Sequence, residues 1–183
     1  MALRTAYPRP TTSTLLHRLQ QGLAALRPRL PVDRDAILAA TLSAPQTEAF
    51  RRLPIHDQAH LCRVYRALRD DGVIDPDLLA ATLLHDIGKL DPNGPGHVRL
   101  IDRVARVVLA RLAPALLHRL SRPPAPRWRR GLALAVHHPA LGAEHAAALG
   151  SSDRTCWLIA HHHDASPTDP DLRRLIAADR AAH

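Results

Sequence analysis

Histidine and aspartate residues that could hold a metal ion recur from His60 to the end of the chain. Each falls on a predicted helix face that should be buried, where an imidazole or carboxylate is costly unless a partner binds it. These two donor types together suit a divalent ion of the Mn, Fe, Co, Ni or Zn group. The pattern therefore predicts a metal site, with these candidate ligands: His60, His85, Asp86, His138, His162 and Asp179.

The residues around His60 have helical spacing. Between Asp57 and Asp71 the core-facing side chains are Leu61, Val64, Tyr65 and Leu68, and His60 lies one turn before Val64 on that side. His56, four residues earlier, could face the same metal. We prefer His60 because His56 or Asp57 is expected to cap the start of the helix.

The His85-Asp86 pair is expected at the end of a second helix. Asp75 is its predicted N-cap and proline follows at the first helical position. A carboxylate in the last turn opposes the helix dipole, so Asp86 favours a cation nearby. Alternatively, Asp86 could cap the turn at Gly88.

Asp179 belongs to a third helix, which begins after the predicted N-cap Asp169. Its inward stripe is formed by Leu172, Leu175 and Ile176, and Asp179 continues that stripe. This places a carboxylate on an apolar helix face, unless the end of the helix is frayed and half exposed.

Four short sequence motifs follow one another along the chain: HDIGK at 85–89, HPALGAE at 138–144, LIAHHH at 158–163 and AAD at 177–179. In this series the chain resembles the HD superfamily of metal-dependent phosphohydrolases, in its HDIG-type branch. The likeness spans roughly residues 53–182. It implies an all-α fold, a single HD-type helical bundle.

The resemblance also implies how the ligands are shared. The first ion would be held by His60, His85, Asp86 and Asp179. Asp86 would bridge to a second ion held by His138 and His162. One or two divalent ions per chain are expected, with Mg added to the metals named above.

Two histidine assignments stay open. Because His138 precedes Pro139, we expect it at the start of a new helix, with His137 ending the helix before it. The HPALGAE motif, in which His138 is the first residue, favours His138 as the ligand. Both His162 and His163 can lean inward from their helix, and we place His162 first.

The implied activity is hydrolysis of a phosphate ester or anhydride, as a phosphohydrolase or phosphodiesterase that uses a metal-activated water. The substrate is expected to be an anionic, phosphate-containing small molecule, a nucleotide being the first choice. The residues expected to act in catalysis are Asp86, Lys89 and His163, with Lys89 near a substrate phosphate and His163 or His145 protonating the leaving oxygen.

Other functions are compatible with the same residues. A non-catalytic or regulatory HD module could bind an anionic ligand, a nucleic acid or a membrane surface. An HD-type di-iron oxygenase could use the same ligand set for oxygen chemistry. A cyclic-dinucleotide phosphodiesterase is a minor alternative, because the Gly-Tyr-Pro motif of the HD-GYP branch is missing from the sequence.

An arginine-rich segment at 99–130 departs from the family pattern. It predicts a basic amphipathic helix, interrupted near Pro114 and followed by a proline-rich turn. The first interpretation is a helix whose apolar side packs on the core and whose arginines are solvated. The second is a weak contact with nucleic acid or an anionic membrane, which Trp128 among arginines supports.

Composition limits the remaining possibilities. The chain has 183 residues and a net charge of +8, with Lys89 as its only lysine. No repeat is present, so we expect a flexible tail at 1–14 and one domain at 15–183. No apolar run is long enough to span a membrane. Two cysteines, Cys62 and Cys156, do not suggest disulfides, which favours a cytoplasmic protein with both thiols buried.

Overall fold

Helices account for the regular structure in this computed structural model, which describes residues 29–91, 94 and 96–182. Over these residues there are nine α-helices, one 3-10 turn at Ile87–Lys89 and no strand, so the all-α prediction is confirmed. In chain order the helices are α1 Arg34–Thr41, α2 Ala44–Arg51, α3 Ile55–Asp70, α4 Pro76–Leu84, α5 Leu100–Leu112, α6 Pro114–Ser121, α7 Arg127–Ala148, α8 Asp153–His161 and α9 Pro170–Ala181. The predicted tail at 1–14 lies outside the described residues.

The starts of α4 and α9 are set by the predicted caps. The Asp75 side chain accepts a hydrogen bond from the backbone N–H of Leu78, and the Asp169 side chain accepts from those of Asp171 and Leu172. In both helices a proline follows the cap, where no N–H is required. These caps set the starts of two helices whose far ends lie at the candidate metal ligands.

The start of α3 differs from the prediction. The helix begins at Ile55, after Pro54, and neither His56 nor Asp57 caps it. Asp57 lies inside the first turn, where it is buried and accepts two hydrogen bonds from the Arg103 guanidinium, at 2.8 and 2.9 Å. A tertiary ion pair has therefore replaced the expected local cap.

The expected helix break at His138 is absent, because α7 runs through Pro139 without interruption. Proline lacks the N–H that would bond the carbonyl of Ala135, four residues earlier. The His138 side chain contacts that carbonyl instead, with Nδ1 3.1 Å from the oxygen. A side-chain hydrogen bond thus compensates for the bond that proline cannot make.

The main core lies where α3, α4, α8 and α9 meet. α4 packs against α3 and α8, α9 packs against α3, and α7 packs against α8 and the 3-10 turn. The largest completely buried side chains include Phe50, Leu61, Leu83, Leu84, Ile87, Leu158, Ile159, Leu172 and Leu175. Because every candidate ligand except His138 lies on or directly after one of these four helices, this core fixes their relative positions.

Helix α5 does not pack its apolar side on the core, contrary to the first interpretation. Its one buried residue is Asp102, which bonds to the backbone and side chain of Arg99. The aliphatic side chains Ile101, Val104, Val108 and Leu112 are exposed to solvent. α5 is held to the bundle by its contacts with α6 and α7 and by the pair between Arg103 and Asp57.

Two further expectations can be compared with the described residues. Within them, none of the helices has the length and apolar character needed to cross a bilayer. Cys62 is buried as predicted, but Cys156 is only partly buried. Burial raises the pKa of the Cys62 thiol to about 11, so this thiol stays protonated at neutral pH.

Candidate metal centre

The first group of potential ligands joins three helices. His60 comes from α3, His85 and Asp86 follow the end of α4, and Asp179 comes from α9. One donor atom from each of His60, His85 and Asp86 lies within 4.8 Å of the others. Asp179 Oδ1 is 2.7 Å from His60 Nε2 and 3.5 Å from His85 Nε2. The structure therefore brings together all four residues expected at the first ion.

The second group is made of three histidines. His138 projects from α7, and His162 and His163 follow α8. One nitrogen from each ring lies within 4.8 Å of the others, with His138 and His162 buried and His163 exposed. Both His162 and His163 therefore lean toward His138, as the sequence allowed.

Backbone carbonyls fix the protonation of three buried rings. Nδ1 lies 3.0 Å from the Thr82 oxygen in His85 and 2.6 Å from the Ile159 oxygen in His162. His138 makes the equivalent contact with Ala135. A carbonyl oxygen only accepts, so Nδ1 carries a proton, and in the neutral form of each ring Nε2 keeps its lone pair. This is the arrangement that orients histidine ligands around metals.

Two of these Nε2 atoms accept no hydrogen bond from the described part of the protein. Nε2 of His138 and Nε2 of His162 are buried and have no hydrogen-bond partner among the described residues. A buried polar nitrogen without a partner is costly. A divalent cation would satisfy both, so the residues present fit a metal at this position.

Asp86 belongs to the first group and also faces the second. Its Oδ2 is 3.9 Å from His85 Nε2, and its Oδ1 is 3.6 Å from His138 Nε2. Each carboxylate oxygen thus faces one group, as a bridging ligand requires. The Lys89 ammonium also contacts Oδ2, at 2.5 Å. Asp86 makes no side-chain cap hydrogen bond, so the alternative role as a turn cap is not seen.

The electrostatics favour the forms that bind cations. Burial lowers the pKa of His138 to about 3 and, with His85 nearby, that of His162 to about 2. Both rings are therefore neutral at pH 7. Burial acts to raise the pKa of Asp86, but Lys89 and the histidines outweigh it, so the carboxyl pKa is lowered. A neutral imidazole and an ionised carboxylate are the forms that ligate metals.

A pocket of about 160 Å³ opens onto the cluster. Asp86, His138, His163 and other site residues form one side of it. Three cationic side chains, from Lys89, Arg103 and Arg106, also line it. The sequence pointed to Lys89 but left the two arginines as part of a solvated face. Their helical spacing gave no indication that α5 lines the same pocket as the candidate ligands.

The remaining histidine candidates lie outside the cluster. His56 Nε2 contacts Arg103 at 3.1 Å, and His137 Nε2 contacts the carbonyl oxygen of Ser121 at 3.1 Å. His145 lines a different pocket, beside Gly88 and Leu141. The choices of His60 over His56 and of His138 over His137 thus agree with the geometry.

Comparison with protein-family models, curated proteins and solved structures found no match for this chain. The chemistry of the site must therefore be inferred from its own residues.

Proposed function

We propose that this protein is a metal-dependent phosphohydrolase or phosphodiesterase of the HD type. The observation that carries the proposal is a pair of neighbouring three-residue ligand groups, with Asp86 a member of the first group and also facing the second. Their donors suit two divalent ions with a bridging carboxylate, which is a common arrangement in enzymes that cleave phosphate esters. The order of the four sequence motifs HDIGK, HPALGAE, LIAHHH and AAD supports the same assignment.

The chain's own residues have separate roles in this proposal. When bound, divalent ions supply the charge that activates a water molecule and stabilises the phosphoryl group during displacement. Lys89, Arg103 and Arg106 bind the phosphate oxygens, because they line the pocket beside the ligands. Val98, Val107 and Ala135 supply its apolar side and limit the entry of water.

The role of His163 in proton transfer stays a prediction. Partial desolvation and the nearby Arg106 guanidinium lower the pKa of this ring, so its neutral form is favoured at pH 7. A neutral ring can ligate a metal or accept a proton. To protonate a leaving oxygen, it would first have to take up a proton during the reaction.

The small pocket and its three cations favour a compact anionic group. A terminal phosphate of a nucleotide satisfies this, and the base would lie outside the 160 Å³ pocket. The nucleotide is therefore proposed as the substrate class, with the phosphate rather than the base as the recognised part.

Metal content is the first test. Protein purified without chelators is expected to hold about two ions per chain, about one after His138→Ala and nearly none after Asp86→Ala. The matched controls are His118→Ala and Asp164→Ala, which change exposed residues outside the cluster. Elemental analysis gives the counts, and circular dichroism checks that each variant is folded.

Turnover is the second test. The metal-loaded protein is offered a phosphate monoester, a phosphate diester and nucleoside triphosphates, and phosphate release is measured. Hydrolysis that is lost in Asp86→Ala and kept in Asp164→Ala supports the proposal. Two bound ions with no hydrolysis of any of these compounds contradict it, and oxygen uptake by the iron-loaded protein would then favour the oxygenase alternative.

A further inference from the structure

The outer side of α5 is an exposed apolar surface. Its large aliphatic side chains are between 46% and 77% exposed and recur every three to four residues, so they lie along one side of the helix. We call this surface the α5 face; it comprises Leu100, Ile101, Val104, Val107, Val108 and Leu112. A contiguous apolar patch on a protein surface marks an interaction site.

Beyond Asp102, the charged residues of α5 and α6 are all arginines. Between Asp102 and Glu144 there are eight arginines and no acidic residue. Asp102 of α5 is buried and bonded to Arg99, and the buried Asp57 of α3 is bonded to Arg103. Arg111 is exposed in the last turn of the helix. An apolar strip is therefore accompanied by side chains whose charge is predominantly positive.

We propose that the α5 face binds the surface of an anionic phospholipid bilayer. Such a surface offers negative headgroups to the arginines and an apolar boundary layer to the aliphatic side chains. A second copy of the chain would bring the same arginines together, which like-charge repulsion opposes. A nucleic acid would complement the charge but would leave the aliphatic strip in water.

This surface continues to the metal pocket. Val107 belongs to the α5 face and also lines the pocket, together with Arg103 and Arg106 of the same helix. Binding through α5 therefore places the mouth of the pocket beside the lipid headgroups. The binding itself does not depend on the proposed hydrolase activity, and the experiment below measures binding alone.

Vesicle co-sedimentation of the full chain tests the proposal. Vesicles of phosphatidylcholine mixed with phosphatidylglycerol are expected to carry the protein into the pellet, and added salt should weaken this binding by screening. Phosphatidylcholine alone should bind much less. The double variant Val104→Asp/Val108→Asp should bind roughly tenfold or more weakly, because two charges enter the apolar strip.

The matched control for the apolar change is Ile74→Asp. Ile74 is 80% exposed and lies in the loop before α4, away from the α5 face. The Ile74→Asp variant should bind the anionic vesicles as strongly as the wild type does. Because all three substitutions are at exposed positions, circular dichroism and thermal unfolding should match those of the wild type.

A charge variant tests the electrostatic part separately. Arg111→Glu should weaken binding to the anionic vesicles by roughly fivefold or more, as expected for losing one basic residue near the surface. Arg173→Glu is the matched control, since Arg173 is exposed on α9. Equal losses in both variants would mean that only net charge matters and would overturn the assignment to α5.

Two other outcomes would also overturn the proposal. The wild type could fail to bind either type of vesicle. Alternatively, it could form a dimer that Val104→Asp/Val108→Asp dissociates, measured by analytical ultracentrifugation, which would assign the α5 face to a second copy of the chain.

Discussion

His60 Nε2 lies 2.7 Å from Asp179 Oδ1, although 119 positions separate the two residues in the chain. The same oxygen is 3.5 Å from His85 Nε2. A single carboxylate of α9 thus contacts imidazoles from two other helices. The pKa of Asp179 is lowered because its contacts with the imidazoles of His60 and His85 outweigh the opposing effect of burial. The C-terminal helix is therefore part of the candidate site.

Replacement of Asp179 by asparagine should weaken metal binding in the first group. The amide keeps the shape of the side chain but removes its negative charge, so we expect a loss of affinity of roughly 10–100-fold. Isothermal titration of chelator-stripped protein with a divalent metal measures it. The control is Asp164→Asn, at an exposed position; an equal affinity in the two variants would exclude Asp179 as a ligand.

Lys89→Met should have opposite effects on metal and on phosphate. The ammonium neutralises the buried Asp86 carboxylate, so it competes with a cation for the same oxygen. Without it, metal affinity should rise, while a phosphate substrate should show a higher KM. In the metal-free state, the free energy of unfolding of Lys89→Met should be about 3 kcal/mol lower than that of the wild type, because one partner of a buried ion pair is missing.

The control for Lys89→Met is Arg173→Met, which removes an exposed positive charge on α9. Metal titration and chemical unfolding of both variants separate the local effect from the change in net charge. Weaker metal binding in Lys89→Met would contradict the proposed competition.

The metal-free protein should become less stable as the pH falls below about 6.5. In the folded protein the pKa values of His138 and His162 are about 3 and about 2. As the pH falls, these two rings are therefore protonated in the unfolded chain before they are protonated in the folded protein, and acid favours unfolding. The lowered pKa values of Asp86 and Asp179 act in the same direction at lower pH. The pKa of His85 is raised by Asp86 and Asp179 despite burial, so its contribution is lost as the pH rises and opposes this trend.

Thermal unfolding in chelator measures the net effect. The Tm should be lower at about pH 5 than at about pH 7, and each 1 kcal/mol corresponds to roughly 2–4 °C for a chain of this size. His162→Gln removes one of the titrating rings and should flatten the profile. A Tm that is constant or falls toward pH 7 would contradict the expected balance.

Gly88→Ala should destabilise the fold at the site. A Cβ at this position would overlap the carbonyl oxygen of His138 and the amide nitrogen of Gly142, both in the backbone of α7. Because backbone cannot move as easily as a side chain, we expect a loss of about 2 kcal/mol or more. Gly94→Ala is the control, since its Cβ would make only an ordinary contact with Asp91; equal stabilities would show that α7 can shift.

The sequence alone determined the helical class and the candidate ligands. Capping residues and helical periodicity act locally, so Asp75 and Asp169 could be recognised without knowing what they pack against. The inward positions of His60 and Asp179 followed from the apolar residues beside them. The geometry agrees with these placements, while the metal and the reaction stay predictions.

Only the tertiary structure decided the rest, because it depends on contacts between distant segments. Pro139 predicts a helix break locally, but packing on the 3-10 turn and the bond from His138 to Ala135 keep α7 continuous. Periodicity shows that α5 has an apolar side but not whether another helix covers it. The position of α5 leaves that side exposed and places Arg106 in the same pocket as the candidate ligands.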